Sequence, residues 1–237
     1  MTRDLFIQNL TDNTIPMNPL GIVADEISPD EFEKIYPAFF EMIYEIVKTD
    51  VSKLSGYGEF NEKNEAEYES CESFIRNTFA TDKEGYWYNW KEMFTTTPLN
   101  EEYFEKMLQN SLNYVSYCEG KRFLVNNNTF FCNLIVSKTQ EVNCADWGRA
   151  GIMDYMMDFA IMDLNKPYLK VPEKLYTYAK QHDIYIPNFK ERYLCMAFYK
   201  GLDTLRWHAS IDDSESCHSI MRYLDELEDR IMRIGRD

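Results

Sequence analysis

Residues 120–145 interrupt a chain that otherwise reads as helix, and that interruption limits the folds available. Arg122–Val125, Leu134–Val136 and Val142–Ala145 are short β-prone runs separated by Asn-rich and polar turns, starting after Gly120. On both sides the apolar residues recur at three- and four-residue spacing instead. Ser28-Pro29-Asp30-Glu31 sets a hydroxyl before a proline and two carboxylates, an N-terminal signature that satisfies orphan amides. Phe32, Ile35, Phe39, Met42, Ile43 and Ile46 then form one face, with Pro37 as a point of bending. The chain next predicts a loop over 49–60, a helix over 64–80, an aromatic segment Tyr86–Trp90 whose tryptophans read as core, and a helix from Leu99 to Tyr117. After the β-prone window, helices are predicted for Asp154–Met162, Pro172–His182, Asn188–Trp207 and Asp213–Ile234, with Gly201 allowing close helix contact. A possible strand at Asp4–Gln8 and turns at Thr11–Asn13 and Asn18-Pro19 precede all of this. The expected class is mainly α with a small β element.

With 237 residues the chain buries a core without disulfides or metal staples. Its six cysteines include no C-x-x-C pair and read as small core fillers, and the start carries no secretory signal, so a reducing cytoplasm is expected. No stretch nears the roughly 18 apolar residues of a membrane helix. A formal charge of −15 repels phosphate backbones and anionic lipid, which argues against nucleic acid and membranes and in favour of a cationic ligand. Fourteen acidic and four basic residues lie between Asp25 and Glu72, a stretch that reads as a solvated face or as an attractor of a polycation. Three histidines and no H-E-x-x-H exclude a His-rich zinc site.

The run Phe123-Leu124-Val125-Asn126-Asn127-Asn128-Thr129-Phe130-Phe131-Cys132-Asn133-Leu134-Ile135-Val136, followed by Asp146-Trp147-Gly148-Arg149-Ala150-Gly151 with Asp154 and Asp158, resembles the catalytic heart of the aminoglycoside phosphotransferases. That family has protein-kinase-like architecture. Its pattern is an apolar strand, H-G-D-x-H-x-x-N, a strand, a turn, and a strand ending in I-D-W. The resemblance puts Asn126, Asn127 and Asn128 on H-G-D, Asn133 on the metal-binding Asn and Asp146 on the metal-binding Asp, without a gap. It also makes residues 28–237 the helical lobe and residues 1–27 a hinge strand and linker remnant. Ser55-Gly56-Tyr57-Gly58-Glu59-Phe60 is similar to the hygromycin B phosphotransferase branch.

The departures from that pattern carry the functional expectation. An Asn at the catalytic Asp position cannot accept the substrate hydroxyl proton, so no intact catalytic residue is expected and Asn133 and Asp146 are vestigial metal ligands. No G-x-G-x-x-G and no V-A-I-K-like strand occurs, so the ATP-covering β-lobe is expected to be missing. No cofactor is expected unless another chain supplies that lobe, in which case ATP and Mg²⁺ return. Asp154 and Asp158 read as structural braces. In the family the substrate lies against acidic side chains of the helical lobe. The ligand-binding candidates here are Glu72, Asn126, Asp203, Trp207, His208, Asp212 and Asp213, where carboxylates beside a Trp face suit an amino sugar. His208 has the alternative of a satisfied structural histidine. Three readings follow: a catalytically silent phosphotransferase-like domain that binds a small cationic aminoglycoside-like molecule, as in antibiotic resistance; an active phosphotransferase completed by another chain; and a protein-interaction or self-associating module, with a homo-oligomer as one form.

Overall fold

A computed structural model describes residues 22–23, 27–81, 84–137 and 141–236. The strand and turns expected over residues 4–19 lie outside these. Contacts divide the chain into two compact units: residues 1–69 with 122–169, and residues 70–121 with 170–237.

The first unit begins with β1 (Ile22–Val23) and α1 (Pro29–Val47). Ser28 caps α1 in a reciprocal box: its hydroxyl accepts from the Glu31 amide, and the Glu31 carboxylate accepts from the Ser28 amide at 2.9 Å. Phe32, Ile35, Phe39, Phe40 and Ile43 are buried along α1. The remaining elements are β2 (Tyr57–Phe60), β3 (Ala66–Tyr68), β4 (Phe123–Val125), a 3-10 turn at Phe131–Asn133, β5 (Leu134–Val136), β6 (Val142–Cys144), β7 (Gly151–Met153), α5 (Met156–Asn165) and a 3-10 turn at Pro167–Leu169, with α2–α4 falling in the second unit. They form two antiparallel sheets, in the orders β1-β5-β6 and β3-β2-β7-β4. The three β-prone runs are strands, but they do not share one sheet: Leu134 pairs Cys144 in the first, while Leu124 pairs Ile152 in the second. Phe131 packs edge-on between Phe32 and Phe39, with ring centroids at 5.7 and 5.9 Å, which fixes α1 against the segment leading out of β4.

Two expectations fail in this unit. Residues 49–60 are not all loop, since Tyr57–Phe60 is a strand held on one side by β3 and on the other by β7. The helix expected over 64–80 is shorter: Ala66–Tyr68 is extended, and Ser70 caps a helix that starts only at Cys71. A pairing partner far along the chain, Gly151, decides the matter. A Cβ at Gly151 would collide with the Gly58 carbonyl, so only glycine lets β2 and β7 approach.

The second unit is helical: α2 (Cys71–Thr78), a 3-10 turn at Trp90–Glu92, α3 (Met93–Thr96), α4 (Glu101–Tyr114), a 3-10 turn at Val115–Tyr117, α6 (Val171–Gln181), α7 (Phe189–Ser210) and α8 (Ser214–Arg233). The centre is α7, whose middle is buried on every side from Arg192 to Asp203. Ser111 of α4 donates its hydroxyl to the Cys195 carbonyl of α7 at 2.9 Å. Phe74, Phe79, Phe104, Trp90 and Tyr199 form a continuous aromatic cluster with centroid separations of 4.9–5.6 Å. Trp90 is core, as expected, whereas Tyr86 and Tyr88 are exposed. Among the described residues no helix is long and apolar enough to cross a membrane.

Gly201 performs the close contact its sequence position implies: a Cβ there would meet Leu224 Cδ2 of α8 at 2.5 Å. Gly201→Ala is therefore expected to lower stability by about 1–3 kcal/mol, the usual cost of overpacking. In urea unfolding, Gly201→Ala combined with Leu224→Ala should lose less than the two single changes added, because the second removes the atoms the first strikes. Strict additivity would show that this contact does not set the α7–α8 spacing.

Candidate functional site

The segment between β4 and β5 is built around Asp158, a fully buried carboxylate on α5. Its Oδ2 accepts from the Asn126 amide N–H at 3.1 Å and its Oδ1 from the Asn127 amide N–H at 2.8 Å. The Thr129 hydroxyl donates to the Asp158 carbonyl at 2.7 Å. A buried carboxylate persists only when hydrogen bonds replace its water, and here the chain supplies them from the very loop it shapes. Asp154, also fully buried, accepts from the Met156 amide at 3.0 Å, a side-chain turn just before α5.

Held this way, the three asparagines point in different directions. Asn126 is buried, donates its side-chain amide to the Asp146 carbonyl at 3.1 Å, and accepts from the Asn128 N–H at 3.0 Å. Although it is a ligand-binding candidate by sequence, both ends of its side chain are engaged inside the loop. Asn127 adopts φ 56°, a left-handed conformation that Asn tolerates better than most residues. Its side-chain amide donates to Glu59 Oε1 at 2.9 Å and to the Arg149 carbonyl at 3.3 Å, while its Oδ1 is buried without a partner. Glu59 also takes the Arg149 guanidinium, with Nε to Oε1 at 2.9 Å. This Glu59–Asn127–Arg149 cluster was not anticipated from sequence. Its members sit in the three segments that carry the resemblance, Ser55–Phe60, Phe123–Val136 and Asp146–Gly151, which is the signal that would have found it.

Asn128, at the position of the catalytic carboxylate, donates Nδ2 to Asp146 Oδ2 at 2.9 Å. The other Asp146 oxygen accepts from the Gly148 amide at 3.0 Å, closing a turn in which Asp146 itself has φ 51°. Asn133 turns its side-chain amide back to the Asn128 carbonyl at 2.8 Å, and its own carbonyl accepts from Ala145 N at 2.8 Å. Asn133 and Asp146 thus meet through Asn128. Each oxygen of the exposed Asp146 accepts one hydrogen bond, and the set offers a metal one carboxylate and one amide oxygen. That is a poor fit to Mg²⁺, which takes charged oxygens and substrate phosphates to complete its octahedron.

The helical unit carries the remaining candidates. At the end of α7, Trp207 is 46% exposed and stands edge-to-face with His208, centroids 4.8 Å apart. His208 Nδ1 lies 2.9 Å from Asp213 Oδ2. Asp213 Oδ1 accepts from the Ser216 amide at 3.1 Å, making it the N-cap of α8. Its hydrogen bonds from Ser216, and to a smaller extent His208, hold this carboxyl below the usual carboxylate range. Asp212 is exposed at φ 58° between them. Trp207, His208, Asp212 and Asp213 therefore do share one corner.

Asp203 does not join them as an open charge. It is 5% exposed and lies 3.2 Å from both Lys200 Nζ and Arg206 Nη2, so its charge is compensated within α7. Arg206 is in turn spread over the Trp87 ring, 3.9 Å from its centroid, and donates to the Thr78 carbonyl at 2.8 Å. Glu72 stands at the opposite end of α2 from Thr78, paired with Arg76 Nε at 2.8 Å one turn along the helix.

Asp158→Ala is expected to destabilise the protein by at least about 2–3 kcal/mol, because two buried amides lose their acceptor at about 1–3 kcal/mol each. Hydrogen exchange should lose protection first at Asn126 and Asn127; unchanged exchange there would refute the bracing role. For Asp213 the sign follows from its lowered folded value. The cap stabilises fully above the ordinary aspartate range and fades as pH falls through the folded pKa. The difference in urea midpoint between wild type and Asp213→Ala should accordingly shrink in acid and be constant near neutrality.

No protein-family model and no curated protein sequence matches the chain. Solved structures do. A thermostable aminoglycoside phosphotransferase APH(4)-Ia with an Asp-to-Ala change, in ternary complex with ADP and hygromycin B, superposes with a TM-score of 0.66 at 18% identity, over 92% of this chain and 70% of that one. An Asn-to-Ala variant of the same enzyme with AMP-PNP and hygromycin B gives 0.68 at 17% identity, over 91% and 69%. Its apo form gives 0.67 at 16%, over 89% and 70%. At these identities the likeness is one of fold, and it agrees with the class expected from the residues. The chain has the kinase-like fold of the aminoglycoside phosphotransferases, mainly α with small antiparallel sheets.

Proposed function

We propose that this chain is a phosphotransferase-like domain that carries out no phosphoryl transfer and binds a small cationic molecule of the aminoglycoside class. The observation that carries the first half is the Asn128 Nδ2 to Asp146 Oδ2 hydrogen bond of 2.9 Å. A general base at this position must accept a proton, and an amide nitrogen already donating to a neighbour has no such capacity. The same bond neutralises the need for a cation. Two carboxylates at that separation repel and demand a metal or a proton between them, whereas an amide and a carboxylate satisfy each other. The family resemblance fits this: the solved neighbours carry engineered changes at an aspartate and at an asparagine five positions later, the spacing of Asn128 and Asn133.

Support for the ligand half is the hygromycin B bound by those neighbours, the −15 charge, and the Trp207, Asp212 and Asp213 corner. With Asp203 committed to Lys200 and Arg206, cation recognition falls to Asp212 and Asp213 beside the Trp207 face, where charge pairing and cation–π contact combine.

Restoring the carboxylate tests the first half. Asn128→Asp should create a Mg²⁺-dependent rise in melting temperature that the wild-type protein lacks, and wild type with ATP, Mg²⁺ and an aminoglycoside should yield no phosphorylated product by mass spectrometry. Product formation by the wild-type chain would overturn the reading. For the second half, an aminoglycoside should bind more tightly than spermine in calorimetry, with the difference lost in Asp212→Asn/Trp207→Ala. Equal binding of both, unchanged in that variant, would leave only a generic acidic surface.

A further inference from the structure

Three of the six cysteines, far apart in the chain, meet in the core of the helical unit. Cys71 opens α2, Cys118 follows the Val115–Tyr117 turn and Cys195 lies mid-way along α7. They are 1%, 0% and 0% exposed, and their sulfurs all lie within 4.8 Å of one another. Three atoms so spaced leave a centre about 2.8 Å from each, against a metal–thiolate bond of about 2.3 Å, so the sulfurs reach bonding distance by drawing together around the ion. No fourth His, Cys, Asp or Glu ligand atom joins the group among the described residues. Cys118 Sγ lies 3.8 Å from the Arg192 carbonyl and Cys195 Sγ 3.9 Å from the Ser111 hydroxyl.

We propose that Cys71, Cys118 and Cys195 form a three-coordinate thiolate site for a trivalent thiophilic ion of the arsenite or antimonite class. Soft sulfur donors select soft acceptors, and a set of three does not complete the tetrahedron that zinc takes in structural sites. Charge selects further. Three thiolates leave two excess negative charges around a monovalent ion, one around a divalent ion and none around a trivalent one, and a buried net charge is costly. Glu119 sharpens that preference, because its carboxylate is fixed beside the site on the Cys71 and Glu72 amides at 3.3 and 3.0 Å. The exchange balances without redox change or net charge: three S–H and three metalloid–OH bonds give three S–metalloid bonds and three waters. Because the cysteines come from three separate segments, the site exists only in the folded chain.

The test uses the full reduced chain refolded from urea with one equivalent of arsenite, which removes any barrier to entering the core, with Cu(I) and Zn²⁺ in parallel. The expected result is a one-to-one arsenic adduct in native mass spectrometry that consumes three thiols, raises the melting temperature and outcompetes zinc. Cys132→Ser, which removes an exposed thiol, should leave it intact. Each of Cys71→Ser, Cys118→Ser and Cys195→Ser should weaken binding by about 100-fold or more. The corresponding Ala variants, checked for fold by circular dichroism, separate lost binding from lost structure. An adduct that consumes two thiols, persists in any of the three variants, or fails to form on the refolded chain overturns the proposal, as does preferential binding of zinc or Cu(I).

Discussion

The arrangement of the first unit's loop depends on one buried carboxylate accepting two backbone amides. Asp158 takes the Asn126 and Asn127 N–H groups and the Thr129 hydroxyl meets its carbonyl, so a side chain on α5 dictates the backbone path between β4 and β5. From that path everything else in the loop follows. Asn126 reaches the Asp146 carbonyl, Asn127 is set in its left-handed conformation against Glu59, and Asn128 faces the Asp146 carboxylate. The cost of burying Asp158 is offset only because those donors converge, which makes the loop and the carboxylate mutually dependent. Removing either partner would strand the other.

This separates scaffold from chemistry. The residues that shape the loop, Asp154 and Asp158, are buried and hydrogen-bonded, and the resemblance retains them as aspartates. The three positions that the resemblance sets on H-G-D are asparagines. Each of these asparagines supplies a donor and an acceptor, but none carries charge or takes a proton. The loop is held by hydrogen bonds made within the chain.

Much of the architecture is legible in the sequence because local signals and tertiary outcome agree. The Ser28-Pro29 start, the apolar face of α1, the three β-prone runs and the close approach at Gly201 each rest on a rule that operates within a few residues. The misreadings come where a distant partner decides. Tyr57–Phe60 has a glycine and a glutamate that suit a loop, and it becomes a strand only because Gly151 admits it. The helix expected over 64–80 mistakes Ala66–Tyr68 for a first turn, although Ser70 marks the true cap. At the candidate site the opposite error occurs. Asp203 looks like an available charge when only the acidic residues are counted, yet Lys200 and Arg206 stand three residues to either side of it, the spacing that places both on its face of the helix. The same check applied to Glu72 finds Arg76 at four residues.

Net charge is thus a poor guide to where a cation is received. A protein with an excess of fifteen negative charges still spends several of its carboxylates on internal work: Asp158 and Asp154 on amides, Asp203 on two cations, Glu59 on Arg149, Asp213 on a helix cap. What attracts a ligand is the remainder that faces water unpaired with a fixed cation, and its field adds only a diffuse bias screened within about 10 Å at ordinary salt. Specific recognition needs a second kind of contact at short range. At the end of α7, Asp213 is engaged by the Ser216 amide and by His208, whereas Asp212 and the Trp207 ring are exposed, and a ring face discriminates the shape and solvation of a cation where a carboxylate reads only its charge.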